Sequence, residues 1–149
     1  MNLPLLPLLP LLPLLLSCTA QRFDALRERE LAEVRSAFDS NLAAIRRRDV
    51  EAYLAGYLTS AEFLFIGPDG VERGFGPFAA ARRADPQFPD SLMAGDPQFT
   101  WLAPGAVHVA YPYVARQADV AGTGWSERVF VRTPDGWRIA VTGVIPGGN

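Results

Sequence analysis

From residue 99 to residue 145 the chain reads as four consecutive β-runs joined by short turn signals. The runs cover residues 99–102, 107–117, 125–133 and 137–145, and between them fall Pro104-Gly105, residues 119–124 and Pro134-Asp135-Gly136. Connections this short cannot carry a crossover, so the runs must pair antiparallel as a meander. Upstream the period changes. Leu31, Val34, Phe38, Leu42 and Ile45 recur at three- and four-residue steps, the apolar stripe of an amphipathic helix over residues 24–48. Arg46-Arg47-Arg48 complements that helix's C-terminus. Asp49 is the expected N-cap of a short second helix carrying Tyr53, Leu54, Tyr57 and Leu58 on one side. A β-run at 61–66 ends in Gly67-Pro68-Asp69-Gly70, a strong turn signal. Pro77 fits the first position of a third helix through residue 83, and the Pro-rich stretch 85–97 reads as a surface loop. Helices first and a meander last predict an α+β fold, with the helices on one face of a curved mixed or antiparallel sheet of about five strands.

A chain of 149 residues has room for one domain. Its net charge of −2, from 14 basic and 16 acidic residues, leaves no excess of cations to track a phosphate backbone, so no nucleic-acid partner is expected. With Cys18 as the single Cys and His108 as the single His, neither an internal disulfide nor a thiolate–imidazole zinc site can be assembled in a monomer. No carboxylate group has calcium-loop spacing, and Gly74-Phe75-Gly76 lacks the third glycine of a nucleotide loop, so no metal and no cofactor are expected.

Residues 1–17 carry no charge and consist almost entirely of Leu and Pro, a short apolar run followed by small residues in the manner of a signal peptide. Its end, Leu15-Leu16-Ser17-Cys18, resembles a bacterial lipobox, which implies cleavage before Cys18 and lipidation of its thiol. The expected organisation is a signal peptide over 1–17, a linker over 18–23 and one domain over 24–146. The protein would sit in the cell envelope, held to a membrane by the N-terminal lipid. Thr19 in place of Asp favours the outer membrane if the host is Gram-negative. The alternative is ordinary secretion, or release into the periplasm, after cleavage at Ala20.

Three helices, a strand before the third and a closing meander resemble the nuclear transport factor 2-like, or SnoaL-like, cone of the cystatin-like folds. Asp49 after Arg48 resembles the family's Gly-Asp link between its first two helices, with Arg replacing Gly. Phe65-Ile66-Gly67-Pro68-Asp69-Gly70 resembles its first strand and turn, and Asp135-Gly136-Trp137-Arg138-Ile139 its last hairpin. The resemblance spans residues 24–145. It implies the fold, a cone that can hold a ligand, and two copies pairing through the sheet; the activities hosted by such cones are diverse. The family's ketosteroid isomerases use a Tyr on the first helix, an Asp ending the first strand and an Asp on a later strand. Those positions fall here on Asn41, Gly67 and either Glu127 or Arg128. Gly67 has no side chain to abstract a proton, so the isomerase set is not present. A hydrolase's Asp-Arg-Asp and a dehydratase's paired His are lacking too.

Strand alternation supplies the remaining site reading. Val107, Val109, Tyr111 and Tyr113 form the more apolar set of their run, and Glu127, Val129 and Val131 share a face opposite Arg128, Phe130 and Arg132. If the apolar sets face the helices, Glu127 points into the cone beside Tyr111 and Tyr113, where a desolvated carboxyl can serve as general acid or base. An inward Glu127 can equally be bonded to a Tyr hydroxyl or wetted at the cone's mouth. Tyr53, Tyr57, Phe65, Trp101, Tyr111 and Tyr113 are the expected ligand-binding residues, with core packing as their alternative role. The convex face would then carry Arg128, Phe130 and Arg132 beside His108, Val114 and Arg116, and mediate a homodimer. Three functions follow: a non-catalytic module binding a small apolar molecule or a partner, an enzyme using Glu127 on such a molecule, or a structural dimer with a filled cone.

Overall fold

The computed structural model describes residues 12–147, with side chains from residue 21. The expected signal peptide therefore lies largely outside the described residues, and so does the Cys18 side chain. Helix α1 spans Leu12–Arg47. It runs without a break through residues 18–23, which were expected as a linker. Of the predicted stripe, Val34, Phe38, Leu42 and Ile45 are buried, and Leu31 packs at its margin. The helix ends in Arg48, whose φ of 57° is left-handed, the conformation glycine adopts most readily. Asp49 caps α2 (Val50–Ala55), its carboxylate accepting from Ala52 N at 3.0 Å.

Strand β1 (Leu64–Gly67) turns through Pro68-Asp69 into β2 (Gly70–Arg73), and α3 (Phe75–Ala84) follows. The segment expected as a loop contains β3 (Ser91–Ala94). Then come β4 (Gln98–Ala103), β5 (Ala106–Gln117), β6 (Val120–Thr133) and β7 (Gly136–Pro146). The described sheet has seven strands in the order β2-β1-β7-β6-β5-β3, with β4 also paired to β5. Strands β2 and β3 are each four residues long, too short for an alternation to register in the sequence. The β1–β7 pair is parallel, which makes the sheet mixed. Register shifts in β4 near Leu102 and in β7 near Ala140 bend the sheet around the helices.

The register also settles which way β6 faces. Gln117 lies opposite Val120, so odd-numbered residues of β5 meet even-numbered residues of β6: Val107 with Phe130, Val109 with Arg128, Tyr111 with Ser126. These pairs line the inner face, and Phe130, Arg128 and Ser126 are buried. The expectation that Glu127 points into the cone is thereby overturned. Glu127, Val129 and Val131 belong to the outer face, and Arg128 and Phe130 leave the convex surface to which they were assigned.

Candidate functional site

Aromatic side chains set the site's wall. Tyr53 of α2 and Tyr57, two residues past its end, stand at a centroid distance of 4.9 Å, and Tyr57 stacks obliquely on Phe78 of α3 at 5.1 Å. Phe88, in the segment before β3, meets Tyr53 edge-on at 5.3 Å. Together with the inner face of β5, β6 and β7 they line an open cavity of about 410 Å³, within the ~300–1,000 Å³ usual for small-molecule sites. Tyr53, Tyr57, Phe65, Tyr111 and Tyr113 all line it. Trp101 does not. Its indole N–H donates to Glu30 on α1 at 2.8 Å, and its ring packs against Phe23, so it ties α1 to β4 away from the cavity.

Strand alternation assigns Arg128 to the convex face, yet it belongs to the cavity's lining. Arg128 is 3% exposed and lines the cavity from β6. Its Nη2 donates to the Tyr111 hydroxyl at 2.7 Å, and its guanidinium carbon lies 5.3 Å from the ring centres of both Phe38 and Tyr111. Nε and Nη1 have no partner among the described residues. Arg82 also lines the cavity, set over the Phe65 and Phe78 rings, and the lining includes no Asp, Glu or His. A cross-strand argument would have found Arg128: placing the β5–β6 turn at Ala118-Asp119 fixes the register, and the register puts the arginine inside.

The phenols are no substitute for a base. Burial pushes the Tyr57 hydroxyl well above the ordinary value and raises Tyr53 as well, so both remain neutral donors at neutral pH. Tyr113 is raised by burial and by neighbouring Tyr111. Glu127, on the far side of the sheet, has its Oε2 3.3 Å from His108 Nε2, with 43% of the Glu127 side chain exposed. The isomerase positions give nothing either. Asn41 is buried and donates to the Tyr53 carbonyl at 3.2 Å, and Gly67 closes β1 with no functional group. Among the described residues, no three His, Cys, Asp or Glu side chains converge as metal ligands would.

Helices cupped by a bent mixed sheet define the nuclear transport factor 2-like cone, and comparison with solved structures gives the same fold. A cystatin-like fold protein from Burkholderia xenovorans superposes with a TM-score of 0.72 at 22% identity, over 81% of this chain and 94% of that one. A nuclear transport factor 2-like superfamily protein from Salmonella enterica gives 0.68 at 21% identity, over 82% and 94%. A ketosteroid isomerase-like protein from Erwinia carotovora atroseptica gives 0.68 at 15% identity, over 80% and 98%. No family model matches the chain, and no curated protein does. These likenesses are of fold.

Proposed function

We propose that the domain binds a small, largely apolar molecule in its cone and does not transform it. The observation that carries this reading is the cavity itself: aromatic on its walls and lined by two arginines with no carboxylate or imidazole. An enzyme of the isomerase or dehydratase kind needs a group that moves a proton at the substrate. Glu127 lies across the sheet from the cavity, and Gly67 stands where the isomerase base would be. A structural module with a filled cone would leave no space of this size against Tyr53 and Tyr57. The test is fluorescence of the neutral probe N-phenyl-1-naphthylamine with the wild-type protein and with Val144→Phe, which narrows the cavity from β7. Saturable enhancement in the first and its loss in the second are expected. Enhancement that survives the plug, or none at all, would count against the cavity.

The same proposal places the domain at the cell envelope, tethered through Cys18. Support comes from Leu15-Leu16-Ser17-Cys18 and from the charge-free residues 1–17; no helix among the described residues is long and apolar enough to cross a membrane. We further propose a homodimer through the outer face of the sheet. Trp125, Ile145, Val114 and Met93 are exposed there as cross-strand neighbours. The hollow formed by Met93, Val114 and Trp125 has no charged lining, so two copies can meet without opposing like charges.

A further inference from the structure

We infer that the ligand is a monocarboxylate, an acid with an aromatic or aliphatic body, whose carboxylate docks on Arg128; this rests on the cavity-binding reading above. A buried guanidinium is normally compensated by a carboxylate of the protein. Arg128 has none: its one bond among the described residues is to the neutral Tyr111 hydroxyl, and two of its nitrogens are unpartnered. The other fully buried charge among the described residues, Glu30, follows the rule. Glu30, 3% exposed, receives the Trp101 and Gly105 N–H groups and sits 3.4 Å from Arg132 Nε. The exception therefore lies on the cavity's lining, and an incoming carboxylate that takes the place of the Tyr111 hydroxyl, or shifts a neighbouring ring, meets a guanidinium whose donors the protein leaves unmet.

The surroundings specify more than charge. Arg128 is the one fully buried guanidinium of the lining and balances one negative charge, whereas half-buried Arg82 stays partly solvated, so the second charge of a phosphate monoester would meet less compensation than the first. The neutral phenols of Tyr53 and Tyr57 supply edges and faces for an apolar body. Arg82, held over Phe65, adds a second cation to the lining and favours entry of an anion. The Ser126 hydroxyl donates to the Gly143 carbonyl at 2.9 Å and so is not free to bind the carboxylate.

The experiment is displacement of the neutral probe by 4-phenylbutyrate, by its uncharged amide and by inorganic phosphate, with wild type, Arg128→Lys and Arg128→Met. Wild type should prefer the acid over the amide by roughly tenfold or more. Arg128→Lys should keep part of that preference, and Arg128→Met should lose it while still binding the amide. Equal displacement by acid and amide would overturn the carboxylate assignment and leave the cavity reading intact. Displacement by phosphate as strong as by the acid would also overturn it, in favour of a general anion site. Should Arg128→Met fail to fold, thermal stabilisation of the wild type by acid and amide gives the same comparison: a matching rise with both overturns the assignment. Loss of probe binding itself identifies failure of the cavity reading.

Discussion

Arg128 and Glu30 are both about as buried as charged side chains become, and they differ in what surrounds them. Glu30 is satisfied by Trp101 on β4, by Gly105 in the β4–β5 turn and by Arg132, so its charge organises the α1–β4 contact. Arg128 retains unsatisfied donors, a state that costs free energy unless something fills it. The tyrosines around it behave differently again. Their folded-state ionisation is raised above the ordinary value of 10.0 because burial disfavours the phenolate. The folded state therefore holds protons that the unfolded state gives up, and stability falls as pH rises past that value. Below it the contribution is fully present. Chemical denaturation across alkaline pH should show this decline, and tyrosinate absorbance should appear for Tyr53 and Tyr57 only together with unfolding. Their free titration in the folded protein would mean that the cavity wall is wet.

At the scale of elements, β6 carries the account, since its register decides what is inside. Gly124 is where β6 passes closest to its neighbours: a Cβ there would lie 2.4 Å from the Ile145 carbonyl oxygen and 2.7 Å from the Tyr113 hydroxyl. Gly124→Ala should therefore cost about 1–3 kcal/mol and displace Tyr113. Gly122→Ala, with nothing within 4 Å, should change stability by less than about 0.5 kcal/mol. Urea denaturation of the two variants checks the pair, and equal effects would contradict the register. The same strand shows where sequence reading reached and where it stopped. The stripe of α1, the Asp49 cap and the meander are legible because each is a local pattern with its own period or turn chemistry. The facing of β6 is not local. Its outer row holds Val129 and Val131 and its inner row Arg128 and Arg132, so apolarity pointed the wrong way. Two residues of turn, Ala118-Asp119, decide the matter, and Ala118 adopts a φ of 50° that its identity does not advertise.

At the scale of the whole molecule, the sheet separates two surfaces with different tasks: an inner one that closes over the cavity and an outer one that carries Trp125, Ile145 and Met93 into solvent. Sedimentation at micromolar concentration should return a dimer for the wild type and a monomer for Trp125→Asp with unchanged circular dichroism. A wild-type monomer would dismiss the outer face as an interface. For the tether, expression in a bacterial host should give membrane-associated protein that Cys18→Ala releases or leaves unprocessed; an unmodified mature N-terminus at Gln21 would end that proposal. The aromatic half of the site was readable, since Tyr53, Tyr57, Phe65, Tyr111 and Tyr113 do meet around one space. Its charged centre was not, because only the folded register brings Arg128 to them. A crystal structure of the protein with 4-phenylbutyrate tests that centre most directly. A carboxylate oxygen is expected within about 3 Å of an Arg128 guanidinium nitrogen, with the phenyl ring against Tyr53 and Phe88. An empty cavity, or the acid bound beside His108 and Glu127 on the outer face, would contradict it.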